Sequence, residues 1–491
     1  MKNYYCILIL AFSILCVACQ PVNETLEQGT EVSTTKETTK ETTKETTKEV
    51  TMETTKETAP ETKEEKLPEL YAYREGQLYG YIDSEGNVVI KPKYLEAEDF
   101  KGERAVVRVV APEKDQYYGI LAQGVYGLID RSGNYVIKPK GMILRVGQKR
   151  YLYSDPVEFW YGYGPTGMSV IKYRFIDENG ENVTDKQFFD IQGITDNLFL
   201  ANDGLKSYFI DAQGNKLGKY AEFNYFAVAY KNGERVVVAP FDDIYDRIIT
   251  CLSIDGTILE EINDENKLTE SISYFTKIYS PYIANSYFYP VFYHKDNTLV
   301  EKLNNTISDI MSELKGNAFS PDEDNESEDI ESITQIQQTT VTDYSLSLIN
   351  NIVNIDISLY WYGFGAAHPN MFMQSYYMNV KTGTRYVLKD LFAEDSDWQM
   401  AIAKLIDAQY VERGEWFLYL DETASKEERI NEFYKDDYYA SVTETGLRIY
   451  YQQYEIAPYA AGFPTFEISY EDLLPYMETD GEFYLNLIGN N

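Results

Sequence analysis

The feature that most constrains this chain is a phrase that recurs along its first half. Tyr79-Gly80-Tyr81-Ile82-Asp83-Ser84-Glu85-Gly86-Asn87 runs into Val88-Val89-Ile90-Lys91-Pro92-Lys93-Tyr94. Tyr126-Gly127-Leu128-Ile129-Asp130-Arg131-Ser132-Gly133-Asn134 runs into Tyr135-Val136-Ile137-Lys138-Pro139-Lys140. Phe175-Ile176-Asp177-Glu178-Asn179-Gly180 and Phe209-Ile210-Asp211-Ala212-Gln213-Gly214 are weaker copies, and Ser253-Ile254-Asp255-Gly256 is a decayed last one. Each copy reads as a β-hairpin. An apolar strand ends in Asp, whose carboxylate can accept from the turn backbone, and the Gly three residues on tolerates positive φ. A second strand follows, which Pro92 or Pro139 is expected to stop, and Phe100 or Phe189 adds an apolar contact. One hairpin cannot bury a core alone, so the copies must stack or share sheets. Asp83, Gly86, Asp130, Gly133, Asp177, Gly180, Asp211 and Gly214 are therefore read as structural turn residues. Calcium is set aside, because each copy supplies one regularly placed carboxylate.

This pattern resembles the WG-repeat (KWG-type) family, whose units read Gly-x-Trp-Gly-x-Ile-Asp-x-x-Gly-x-x-Val-Ile-x-Pro-x-Tyr. Tyr79 and Tyr126 stand where the family has Trp. The resemblance covers about residues 70–260 and implies a scaffold without catalytic residues.

The amino terminus carries a different signal. Lys2 precedes the apolar run Tyr4–Leu15, which is short for a membrane span, and Cys16-Val17-Ala18-Cys19 closes it. It resembles a bacterial lipoprotein signal peptide over residues 1–18, with Cys19 as the lipidated residue, although Cys16 stands where the family usually has Leu, Val or Ile. Removal of residues 1–18 would leave Cys251 as the only cysteine besides Cys19, so the folded part is expected to rely on packing rather than disulfides. Residues 19–66, built on Thr-Thr-Lys-Glu repeats, have no apolar face and read as a solvated tether. Residues 67–265 are the repeat module and 266–491 a second domain. The fold class expected is a mainly β repeat module of stacked β-hairpins followed by an α+β domain.

In that second region, Tyr274 to Pro290 reads as strand. Asn297 caps a helix with Leu299, Leu303, Ile307, Ile310, Met311 and Leu314 on one face, closed by Gly316. Ser345 to Trp361 reads as one long strand region, and Tyr376–Leu388 as a hairpin. A helix from Asp397 stops before Gly414, and Ser425-Lys426-Glu427-Glu428 has capping-box form. The series Tyr362-Gly363-Phe364-Gly365-Ala366-Ala367-His368-Pro369-Asn370, Tyr377–Gly383, Leu388–Phe392, Thr443–Leu447 and Tyr454–Gly462 resembles the RsiV-type anti-sigma factor carboxy-terminal domain family. That family binds lysozyme in one branch and also occurs beside peptidoglycan deacetylases. The resemblance implies a binding domain, for which Tyr362, Gly365, His368, Pro369 and Asn370 are the candidate residues.

Composition narrows the chemistry. The chain has 79 acidic against 44 basic residues, a formal charge of −35. That argues against nucleic acid and favours a cationic partner, and the RsiV-type resemblance implies lysozyme as the most concrete one. Two histidines cannot make a His-x-x-x-His metal motif, so Phe241-Asp242-Asp243 reads as a coincidental likeness to polysaccharide deacetylases. The acidic stretch 322–329 lacks the Gly and terminal Glu of an EF-hand. No metal, cofactor or catalytic residue is expected, and no nucleophile motif accompanies His368. The expected function is binding, without catalysis, on the outer face of the bacterial membrane, reached through the lipid anchor only. The runner-up is a cell-wall glycan or peptidoglycan scaffold, and an envelope hydrolase comes third.

Overall fold

A computed structural model describes residues 69–110, 125–154, 170–243, 245–280, 285–294, 297–317, 335–336, 338–363, 366–414, 419–420 and 423–489. Cys19, the tether, the acidic stretch 322–329 and Gly365 lie outside them. Residues 69–491 form one compact unit.

Each sequence copy becomes the centre of a small antiparallel sheet, here called a blade. Blade 1 is Leu70–Glu75, Leu78–Asp83 and Val88–Tyr94. Blade 2 uses Glu96–Ala97, Ala105–Val109, Val125–Ile129 and the first half of Tyr135–Arg145. The second half of that long strand begins blade 3, with Arg150–Ser154, Tyr173–Asp177 and Asn182–Phe188. Blade 4 is Asp190–Thr195, Leu198–Asn202, Ser207–Ile210 and Glu222–Phe223. Ala227–Asn232, Arg235–Pro240, Ile248–Ser253 and Ile258–Asn263 make blade 5.

Strand alternation makes these blades stack. The residue before the turn Asp points back to the preceding blade, and its neighbour one position earlier points forward. Ile129 joins Ile90 and Tyr81 of blade 1, while Ile176 joins Leu128 of blade 2. Ile210 joins Phe175, and Leu252 joins Phe209. Each such isoleucine or leucine is completely buried, worth about 1.5–3 kcal/mol apiece. The turn glycines complete the contact. A Cβ on Gly133 would lie 3.2 Å from Ile90 Cδ1, and one on Gly180 3.0 Å from Ile137 Cγ1.

The turns form as the sequence requires. Asp83 Oδ1 accepts from the N–H groups of Glu85 and Asn87, both at 2.9 Å, and Asn87 Nδ2 donates to Oδ2. Asp130, Asp177 and Asp211 repeat the arrangement. In the last copy Ser253 takes the aspartate's place, accepting from Thr257 N–H through Oγ at 3.1 Å. Pro92 and Pro139 do not stop their strands, which run Val88–Tyr94 and Tyr135–Arg145. Both prolines pass a glycine, Gly80 or Gly127, where the pairing register shifts, so no ladder N–H is lost. The partner backbone then closes in: a Cβ on Gly80 would lie 2.4 Å from Ile90 O and 2.7 Å from Pro92 N.

The second region is α+β. Strands β1 (Ser273–Tyr279), β2 (Asn285–Tyr293), β3 (Gln338–Ile349), β4 (Ile352–Gly363) and β5 (Asn370–Asn379) form the body of a seven-stranded sheet, parallel only between β2 and β3. The strand region expected across Ser345–Trp361 is two strands joined by a tight turn at Asn350, φ 52°. Helix α1 (Asn297–Asn317) lays Leu303, Ile307, Ile310, Met311 and Leu314 on Val353, Ile355 and Ile357. It continues through Gly316 rather than ending there. On the opposite face lie α2 (Trp398–Arg413), α3 (Lys426–Phe433) and a three-stranded sheet of β6 (Tyr439–Val442), β7 (Gly446–Tyr450) and β8 (Thr465–Ser469). Gly414 ends α2 in the left-handed conformation, and Ser425 with Glu428 forms the capping box of α3.

Blade 5 meets the second sheet through charge. Arg247 lies between Asp243 (3.0 Å) and Asp343 of β3 (2.7 Å), with its guanidinium 4.8 Å from the Phe288 ring centroid. Ser286 of β2 donates to Asp242 at 2.7 Å. The Phe241-Asp242-Asp243 sequence is thus a structural joint. Burial pushes the Asp242 carboxyl up to about 6, and the Ser286 hydrogen bond offsets only part of that. Asp190 is raised to about 6 in the same way. Both folded values exceed the unfolded carboxylate value of about 3.9, so their contribution to stability is complete below that and is lost as pH rises through about 6. The turn aspartate of blade 1, Asp83, has the opposite sign. Hydrogen bonds from the Asn87 side chain and backbone hold Asp83 low, so its contribution is lost as pH falls.

Two outcomes follow. Gly80→Val should cost at least about 1–3 kcal/mol in urea unfolding, while Gly218→Ala, with nothing within 4 Å among the described residues, should stay within about 0.5 kcal/mol. Asp242→Asn should be more stable than the parent by about 1–2 kcal/mol at pH 7, a difference that disappears at pH 4.

Candidate functional site

The two sequence motifs around His368 and Tyr454 are brought together although 86 residues separate them. β4 and β5 form a long hairpin, and its far end carries Tyr362, His368, Pro369 and Asn370. The segment after β7, residues 452–462, folds over that end. Gln452 clamps the β5 backbone: its Oε1 accepts from Met373 N–H (3.1 Å) and its Nε2 donates to Met373 O (2.6 Å). Gln453 Oε1 accepts from Met371 N–H at 2.8 Å. Glu455 closes the segment, accepting from Gln452 N–H at 2.8 Å and pairing with Lys435 at 2.7 Å.

This clamp sets three rings side by side. His368 stacks on Tyr459 with centroids 3.8 Å apart and planes 19° apart, and Tyr454 lies 5.8 Å from His368. Tyr454 OH meets His368 Nε2 at 2.6 Å, and Nδ1 faces Pro369 O at 3.0 Å. In a neutral ring, the carbonyl facing Nδ1 requires that nitrogen to carry the proton, which leaves Nε2 to accept from the phenol. Tyr454 is 46% exposed and holds φ 66°, a left-handed conformation that costs a non-glycine residue about 1–3 kcal/mol.

The remaining candidates divide. Tyr362 is buried, and its hydroxyl donates to Ala366 O at 3.2 Å, shaping the tip. Asn370 is exposed opposite Trp361, and Pro369 serves as the His368 acceptor. Sequence reading missed Tyr454, Tyr459 and the two glutamines as partners of His368. The Tyr454–Gly462 motif was visible, but not what it would touch. Asp83, Asp130, Asp177 and Asp211 lie at separate turns and are not brought together. Among the described residues no group of three or more His, Cys, Asp or Glu could hold a metal ion.

A second polar cluster lies between the layers. Asp356 Oδ1 accepts from Ser375 (2.6 Å) and Ser441 (2.8 Å), and Ser375 also meets Tyr450 OH at 2.9 Å. Burial pushes the Tyr450 phenol well up. The serines are bound to a carboxylate and a phenol, and the ring nitrogens of His368 are engaged elsewhere. The arrangement tethers β4 and β5 to β6 and β7.

Residues 79–109 and 126–140 match the profile described as WG containing repeat, and residues 389–471 match the one described as protein of unknown function (DUF3298). The first half thus carries WG repeats and the second a DUF3298 domain. No curated protein matches the chain. Among solved structures, it is similar to a DUF3298 family protein from Pseudomonas aeruginosa PAO1, at 12% identity and TM-score 0.30 over 43% of this chain and 95% of that one. It is also similar to a DUF3298 family member from Bacteroides fragilis, at 15% identity and TM-score 0.29 over 44% and 94%.

Gln452→Ala should free both polar groups of Met373 while leaving the core intact. The amide of Met373 is expected to exchange with solvent about tenfold faster or more, those of Ile355 and Ile357 unchanged.

Proposed function

We propose, for a chain that carries WG repeats and a DUF3298 domain, that it is a non-catalytic binding protein of the bacterial cell envelope. Its ligand is a cationic protein such as lysozyme. The observation that carries this reading is the ring cluster of His368, Tyr454 and Tyr459, held at an exposed tip by a glutamine clamp. Rigid tyrosines supply broad amphipathic contact at little conformational cost, and they recur at binding hot spots. The acidic excess of 79 against 44 supplies long-range attraction for a basic partner. The engaged ring nitrogens of His368 speak for display rather than proton transfer. The amino-terminal signal supports a lipid anchor on Cys19, with the folded part outside the membrane. The flat, partly exposed rings also favour a second reading, stacking on cell-wall glycan.

Binding of the chain to a c-type lysozyme, beside another small basic protein, tests this. Selective binding that survives physiological salt is expected, with Tyr454→Ala weakening it about tenfold or more. Equal binding to both proteins that vanishes with salt would remove the lysozyme reading. Retention on insoluble wall material at high salt would favour the glycan.

A further inference from the structure

The blade stack has an unfinished end. In blades 2 to 5 the residue before the turn Asp, or before Ser253, is covered by the blade before it, and Ile129, Ile176, Ile210 and Leu252 are no more than 1% exposed. In blade 1 the equivalent Ile82 is partly exposed and joins none of the stacked clusters. Its cross-strand partner Tyr71 is 41% exposed, whereas Ala105, in the same place opposite Ile129, is fully buried. The glycines repeat the contrast. Gly133, Gly180, Gly214 and Gly256 all lie against a side chain of the preceding blade, and Gly86 has nothing within 4 Å among the described residues. Tyr73, Leu78 and Val88 continue this apolar face into a shallow groove of about 490 Å³.

The sequence upstream supplies no matching hairpin. The first three turn aspartates are 47 residues apart (83, 130, 177), and one such step before Ile90 falls on Thr43, within the Thr-Thr-Lys-Glu tract. The groove also carries one base and one acid, Lys91 and Glu75, both exposed and without an ion pair among the described residues. A surface with one charge of each sign beside an apolar strip is complementary to its own two-fold copy.

We propose that this outer face of blade 1 is the contact surface of a two-fold dimer of the chain. Each copy's Tyr71, Ile82 and Val88 cover the other's, and Glu75 of each copy meets Lys91 of the other. The dimer continues across two molecules the face-to-face contact that holds the blades together within one. It is independent of any ligand at the His368 tip.

Sedimentation equilibrium on the full chain at tens of micromolar should give a dimer. Tyr71→Lys with Val88→Lys should shift it to monomer with an unchanged far-UV circular dichroism spectrum, since both side chains are exposed in one copy. Glu75→Lys alone should weaken the dimer about tenfold, and adding Lys91→Glu should restore it. A monomeric parent chain would overturn the proposal and leave the face to another protein or to residues 1–68. A dimer indifferent to all these substitutions would overturn it equally, placing the contact elsewhere.

Discussion

The contact on which the rest of this molecule depends is that between the residue before each turn aspartate and the blade before it. A three- or four-stranded antiparallel sheet of this size has two apolar faces and cannot bury either alone. The turn sets which face each side chain takes, because Asp fixes where the strand ends and strand alternation does the rest. A slip of one residue would send Ile129 forward and Leu128 back, exchanging the members of two cores. The aspartate hydrogen bonds therefore do more than close a turn. They hold the register on which every blade-to-blade contact relies.

The same economy governs the second region. Val353, Ile355 and Ile357 of β4 pack against α1, while Asn354 and Asp356 face the opposite layer. There the polar pair is satisfied, with Val442 N–H donating to Asn354 Oδ1 at 3.1 Å and two serines donating to Asp356. A buried polar seam of this kind is costly if half satisfied, so it favours one alignment of the layers. That alignment sets the far end of the β4–β5 hairpin beneath the 452–462 segment. The ring cluster is a consequence of the packing below it.

How much of this was legible depended on range. The hairpin turns, the capping box at Ser425 and the end of α2 at Gly414 are local chemistry and can be read from a few consecutive residues. The Asn350-Asn351 turn that divides β3 from β4 was equally local, and a run of alternating residues on both sides hid it. Pro92 looked like a strand terminator because its glycine partner lies in another strand. The joint of Asp242 with Ser286 and Arg247 with Asp343 could not be read at all, since it rests on pairings between residues far apart in the chain. His368 drew notice as a rare residue beside glycines. Its role became concrete only when Tyr454, in a conformation no sequence rule assigns to tyrosine, was seen against it.

The central claim, that the blades hold one another pairwise through these aliphatic contacts, is tested most directly by double-mutant cycles in urea. Ile90→Ala combined with Ile129→Ala removes two sides of one inter-blade contact, while Ile129→Ala combined with Leu252→Ala touches two contacts far apart in the stack. The account predicts a coupling of about 0.5–3 kcal/mol for the first pair and additivity within about 0.5 kcal/mol for the second. Additivity in both cycles would contradict it, because the blades would then be stable units that merely adjoin.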